Sequence, residues 1–289
     1  MNKEFTLGFI FIALFSNNIY AYNSNNSCEK LLKNGKIEQA LTAAKTVDSK
    51  YDANFCAAKA YYRLKNYQAA SNAFDESSKH ADLPVDQMFS FLYKGISQRD
   101  LGEVKSSAAT LTKGLDTAAL GNSKYLQMEQ RFLYQLGLSA LAEKDGMTAV
   151  DYFVKSSVIA ANDQERANSF KGLSQAFYMD NQVDSAIEYG VRASTTFQRT
   201  GDLGEYAEMQ INLATYESVN ENFPRAIRIL DSLVDFAKTN GGEYFHAKAL
   251  IAKSSILSKK GDAELSKTAF AEGQAIAKKI GAADLLRPQ

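Results

Sequence analysis

Side chains able to do catalysis or bind metal are sparse in this sequence, and those that occur stand apart from the partners they would need. The two histidines, His80 and His246, have no Cys, His or carboxylate at metal-ligand spacing, so both read as solvated or helix-capping residues. Ser27 and Lys30 form a Ser-x-x-Lys, but the companion motifs of that hydrolase class are missing. Neighbouring carboxylates such as Asp75 and Glu76 point apart on a helix and read as a solvated face. No glycine-rich phosphate loop follows a strand pattern, and no Gly-x-Ser-x-Gly turn occurs. The chain is therefore read as a non-enzyme that uses no cofactor and no metal.

The two cysteines, Cys28 and Cys56, take their meaning from the compartment, and the N-terminus speaks to that. Lys3 opens a short polar start, Thr6 to Phe15 (TLGFIFIALF) is apolar, and a polar stretch closes on the small residue Ala21. This is the pattern of a secretory signal, with residues 1–21 removed and 22–27 left as a short linker; the alternative is a buried N-terminal helix. The apolar run is too short to span a bilayer, which takes about 20 residues, so no membrane insertion is expected after cleavage. Ser24-Asn25-Asn26-Ser27 before Cys28 lacks the apolar and small residues of a lipoprotein signal. The expected location is periplasmic or secreted. In such an oxidising setting an even cysteine pair reads as a disulfide, stabilising by about 3 to 4 kcal/mol on the chain-entropy model; the alternative is two buried thiols.

Charge narrows the partner classes. The 33 basic and 33 acidic residues cancel without any run of one sign, so neither nucleic acid nor an anionic membrane finds the electrostatic footprint it needs. A 45% hydrophobic content supplies a core, and only three prolines with no tryptophan suit long helices.

From Ser27 onward the apolar spacing is helical, interrupted by turns such as Lys33-Asn34-Gly35-Lys36, Leu64-Lys65-Asn66-Tyr67 and Lys144-Asp145-Gly146-Met147. A unit recurs in which an apolar residue after the turn precedes a small residue by three positions. The pairs are Ile37 with Ala40, Tyr67 with Ala70, Val104 with Ser107, Val183 with Ala186, Phe223 with Ala226 and Ala263 with Ser266, and less regularly Met147 with Val150. One helical turn further stand Ala44, Phe74, Leu111, Val154, Gly190, Leu230 and Phe270, predicted as core contacts. Ala186, Ala226 and Ser266 keep a spacing of 40 residues, as do Gly201, Gly241 and Gly281 at expected helix ends.

Segments such as Gly201-Asp202-Leu203-Gly204-Glu205-Tyr206-Ala207, Asn212-Leu213-Ala214-Thr215-Tyr216 and Asn222-Phe223-Pro224-Arg225-Ala226-Ile227 resemble the long form of the tetratricopeptide repeat, and earlier units the short form. The resemblance covers residues 28–281 and leaves 282–289 as a tail. It lacks the tryptophan near the start of the family's first helix and the usual closing proline, and Ala40 to Ala70 is only 30 residues. It implies an all-α fold: a right-handed superhelix of antiparallel helix pairs, about seven repeats, with a concave groove lined by first helices. Cys28 and Cys56 would fall in the first helices of adjacent units and staple the N-terminal edge.

The resemblance also implies a function, binding of a protein or peptide partner in the groove by a scaffold or adaptor of the cell envelope, with homo-oligomers possible. A peptide-sensing regulator that changes superhelical shape is the alternative. Carrying the family's groove positions over gives Lys59, Tyr62, Arg63, Leu92, Ile96, Arg99, Tyr134, Leu138, Lys171, Gln175, Tyr178, Ile211, Asn212, Thr215 and Lys248 as the candidate lining. Tyrosine and arginine favour interface hot spots, although any single tyrosine at helical spacing also suits a core. Some family members clamp a terminal carboxylate; the matching positions here are Lys171, Gln175, Asn212, Lys248 and Ala252, the last without a charge.

Overall fold

The structure, a computed structural model, describes residues 26–240 and 242–286. The predicted signal segment and Gly241 lie outside the described residues. The described residues form fourteen α-helices: α1 (Ser27–Lys33), α2 (Ile37–Ala44), α3 (Lys50–Arg63), α4 (Tyr67–Lys79), α5 (Pro84–Leu101), α6 (Val104–Ala119), α7 (Leu126–Ala142), α8 (Gly146–Val158), α9 (Asp163–Met179), α10 (Val183–Thr200), α11 (Leu203–Val219), α12 (Phe223–Asn240), α13 (Glu243–Lys260) and α14 (Ala263–Ile280). They read as seven hairpins, each an odd-numbered first helix and an even-numbered second one. No helix among the described residues is long and apolar enough to cross a membrane.

Local chemistry sets the helix boundaries. Side chains of Asn26, Ser49, Asn66, Asp145, Asn162 and Asp202 accept backbone N–H groups at helix starts, filling bonds the first turn cannot make internally. Each turn between the two helices of a hairpin holds one residue in the left-handed region. Gly35, Gly102 and Gly261 take it in the first, third and last hairpins, while Lys65, Lys144, Asn181 and Glu221 take it in the others. The glycine spacing read from the sequence marks a different place, the end of a hairpin's second helix, where Gly201 and Gly281 are left-handed.

The chain divides into two compact units, residues 1–110 and 111–289. In the first, α1 to α5 pack each on the next, and Cys28 is joined to Cys56 by a disulfide between α1 and α3, whose Cα atoms lie 6.3 Å apart. Phe55, Phe74 and Tyr93 form an aromatic triangle with ring centroids 5.4 to 5.9 Å apart. In the second unit, α7 to α14 stack in the same serial way. There the first helices α7 and α9, and again α11 and α13, touch one another directly, whereas among the described residues successive second helices have no comparable contact. The first helices of this unit therefore share one face.

The core follows the predicted small residues in five units, with a register error in α8 and a Ser266 that is only half-buried in α14. Ala40, Ala70, Ser107, Ala186 and Ala226 are fully buried, as are Phe74, Leu111 and Leu230. In α8 the buried pair is Ala149 and Phe153, while Met147 and Val154 are exposed, so the unit starts at Gly146 and not Met147. Phe153 is the reason: its ring fits between Gly137 on α7 and Gly172 on α9, where an added Cβ would come within 2.7 and 2.5 Å of it. Phe270 on α14 is also exposed. The tail is not structureless at its start. Residues Ala283–Leu286 form a single 3-10 turn that buries Leu285 against Ala247, Ile251 and Ala277.

Candidate functional site

Correcting the α8 register brings the candidate lining of the second unit into line. Measured from Ala149, Ala186 and Ala226, the residues Tyr134, Lys171 and Ile211 occupy the same position of α7, α9 and α11, and Leu138, Gln175 and Thr215 the same position one turn on. With Tyr178, Asn212 and Lys248, all nine predicted positions of this unit are half-buried, neither sealed into the core nor standing free. Tyr134 and Leu138 rest on the cluster of Ala140, Ala149, Phe153 and Leu173. Tyr178 lies on Tyr216 with ring centroids 4.4 Å apart, and burial pushes the Tyr216 phenol up to about 12.

Charges on the α9, α11 and α13 part of this face are matched within the chain, whereas Arg131 on the same row of α7 pairs with no carboxylate among the described residues. Lys171 Nζ on α9 meets Glu205 on α11 at 2.6 Å, and Lys248 Nζ on α13 meets Glu208 on α11 at 2.5 Å. Burial depresses the Lys171 ammonium, but Glu205, Tyr134 and Glu208 outweigh that and leave it above the usual lysine range. Lys171 is thus a firm cation held by its own carboxylates. This removes the basis of a carboxylate clamp: both lysines that would receive a ligand's terminus are occupied, and Ala252 adds no charge. Glu205 and Glu208 escaped the sequence reading, although their place opposite the two lysines on neighbouring helices was the available signal. Gln175 and Asn212 differ from them, since neither amide hydrogen-bonds to another described residue; Thr215 Oγ1 donates back to the Ile211 carbonyl.

The first unit departs from expectation. Lys59, Leu92 and Ile96 were predicted to line the groove and are buried instead, at 7%, 4% and 5% exposure. On α5 the rows Met88-Leu92-Ile96 and Phe89-Tyr93 are both apolar, so burying both removes more hydrocarbon from water than presenting one. Lys59 packs over the Phe55 ring and pairs with the buried Glu29 of α1. Burial lowers its pKa, with Glu29 opposing. Tyr62, Arg63 and Arg99 do reach the surface, near the C-terminal ends of α3 and α5. There the Tyr62 hydroxyl donates to Asp100, Arg63 donates to the Leu32 carbonyl and Arg99 lies 3.8 Å from Asp100.

His80 caps α4 and is exposed, whereas His246 on α13 is half-buried with its Nε2 sealed from solvent and without a hydrogen-bond partner. Burial, with Lys238 nearby, lowers its pKa below the ordinary histidine value. Among the described residues no three His, Cys, Asp or Glu side chains gather into a group that could hold a metal.

No protein-family model matches the chain, and no curated protein matches it. Solved structures do. A signal-transduction ATPase of the STAND class with a tetratricopeptide repeat sensor, from Pyrococcus horikoshii, superposes with a TM-score of 0.70 at 13% identity over 89% of this chain, which spans 42% of that protein. The apo form of RapI gives 0.63 at 12% identity over 89% of this chain and 97% of that one. The Rap conjugation gene regulator of plasmid pLS20, in complex with the Phr* peptide, gives 0.55 at 15% identity over 91% and 75%. At these identities the likeness speaks of architecture alone, and the architecture is that of the tetratricopeptide-like, all-α repeat proteins.

Proposed function

We propose that this chain is a non-enzymatic protein-interaction module of the cell envelope, holding a peptide segment or helix of a partner protein on the first-helix face of its second unit. One observation carries the reading: nine positions chosen by repeat register all emerge half-buried on α7, α9, α11 and α13, where α7 meets α9, α11 meets α13, and Lys171–Glu205 and Tyr178–Tyr216 join α9 to α11. Half-buried tyrosines with free amides form the kind of surface that gains most from desolvation by a partner. The Rap regulator of plasmid pLS20, similar in fold, is itself in complex with a peptide. Export is supported by the apolar run Thr6 to Phe15 and by the Cys28–Cys56 disulfide, a bond that persists in oxidising compartments.

The test is recovery of partners from envelope extract by the tagged chain and by a Tyr134→Ala, Tyr178→Ala variant. A protein retained by the first and lost by the second is the expected result. Equal retention by both removes the face from the account. A second reading, a peptide-responsive sensor, draws on the tetratricopeptide sensor of the Pyrococcus protein and the Phr* complex. Tight binding of a short secreted peptide, with a change in solution scattering and no protein partner, selects it.

A further inference from the structure

The proposed face has an electrostatic character that selects its ligand. Across α9, α11 and α13 the charges run Lys171, Glu205, Glu208, Lys248, two cations and two anions joined as two pairs. Each pair is about three-quarters shielded at the lysine, with side-chain exposures of 24% and 29%. Arg131, on the same row of α7, is the face cation that pairs with no carboxylate among the described residues and stands outside this strip; between α9 and α13 a ligand charge finds no vacant counter-charge. It must break a pair, leaving the displaced carboxylate or ammonium partly desolvated, or sit beside a like charge. A peptide backbone meets no such obstacle: Gln175 and Asn212, on α9 and α11, each offer a donor and an acceptor not engaged with other described residues, beside the half-buried Tyr178 that packs on Tyr216.

We propose that the segment held on this face is an uncharged stretch of extended peptide, and that the two Lys–Glu pairs act as a filter against charged segments, a free terminal carboxylate above all. The inference rests on the peptide-binding reading and makes it more specific. It also names what releases the filter. Removing Glu205 and Glu208 leaves Lys171 and Lys248 unmatched on one face, converting a neutral strip into a carboxylate site.

The experiment uses two pools of short random peptides made only of uncharged residues, one amidated at the C-terminus and one with a free carboxylate, both blocked at the N-terminus. Wild-type chain and a Glu205→Gln, Glu208→Gln variant are compared, with helicity checked by circular dichroism. Wild type is expected to retain the amidated pool at least about tenfold better, which is about 1.4 kcal/mol, and the variant to abolish or reverse the preference. Equal retention of both pools by wild type overturns the filter, as does an unchanged preference in the variant. Should the variant lose its helical signal, wild-type binding across a salt series decides: affinity that hardly changes with salt supports an uncharged ligand, and a steep loss overturns it. If wild type binds neither pool, the peptide-binding reading itself falls and this inference with it, a result distinct from binding without charge preference.

Discussion

Phe153 is the wedge that spaces α7 from α9, and those helices carry Tyr134, Leu138, Lys171, Gln175 and Tyr178, so the Gly172→Ala substitution tests how the face is positioned. The new Cβ would stand 2.5 Å from Phe153 Cε1, 2.6 Å from Cζ and 2.7 Å from Cδ1, far inside van der Waals contact. The ring has little room to retreat, because the side chain is fully buried and is already so close to Gly137 that a Cβ added there would also come within 2.7 Å of it. Overpacking of this kind costs about 1 to 3 kcal/mol. Against it, alanine in a helix interior is favoured over glycine by about 1 kcal/mol. The net expectation is a loss of about 0 to 2 kcal/mol, too close to zero to decide alone. A double-mutant cycle with Phe153→Leu separates the two effects, because the shorter side chain gives way to the new methyl while the helix preference stays. Urea unfolding should show Gly172→Ala destabilising in the wild-type background and stabilising in Phe153→Leu, with a coupling of about 1 to 3 kcal/mol. A Gly172→Ala chain more stable than wild type by about 1 kcal/mol, with effects additive to within about 0.5 kcal/mol, would refute the wedge.

Other expectations follow from the first unit and from His246. Removing the disulfide with paired Cys28→Ala and Cys56→Ala substitutions should cost about 3 kcal/mol, seen as an earlier thermal transition that reductant no longer shifts. Glu29→Ala strands the buried Lys59 and should cost about 3 to 5 kcal/mol, whereas adding Lys59→Met restores most of the loss, since the apolar side chain needs no counter-charge; a urea series on the two variants checks this. For His246 the folded pKa lies below the unfolded one, so between them the unfolded chain binds the extra proton. Stability should therefore be unaffected by this group above the unfolded value of about 6.5 and fall as pH drops through it. Urea midpoints at neutral and mildly acidic pH should converge in a His246→Gln variant, and an NMR titration should place its imidazole below the ordinary histidine value.

The repeat was legible because its marker is steric. A small residue where two helices cross must stay small, so Ala186 and Ala226 keep their spacing and are fully buried. The hairpin turns were harder to see, since Lys65, Lys144, Asn181 and Glu221 fill a conformation that a reader expects glycine to mark. In α8 the choice between Met147 and Gly146 as the starting residue turned on Phe153, whose glycine-lined slot is formed by helices distant in sequence. Surface and core also could not be told apart by register alone: Leu92 holds the same repeat position as Lys171, yet apolar chemistry takes it inside. The matching of Lys171 and Lys248 by Glu205 and Glu208 lay beyond single-helix reasoning, because separations of 34 and 40 residues become neighbours only when hairpins stack.

The claim that the first-helix face of the second unit receives a partner segment is tested most directly by photocrosslinking from single positions in intact cells. A photoreactive residue at Gln175 or Thr215 reports on that face, and one at Val191 on the exposed side of α10 serves as the control. The account predicts one discrete crosslinked partner from both face positions and none from Val191. The same partner captured from Val191, with nothing from Gln175 or Thr215, would contradict it.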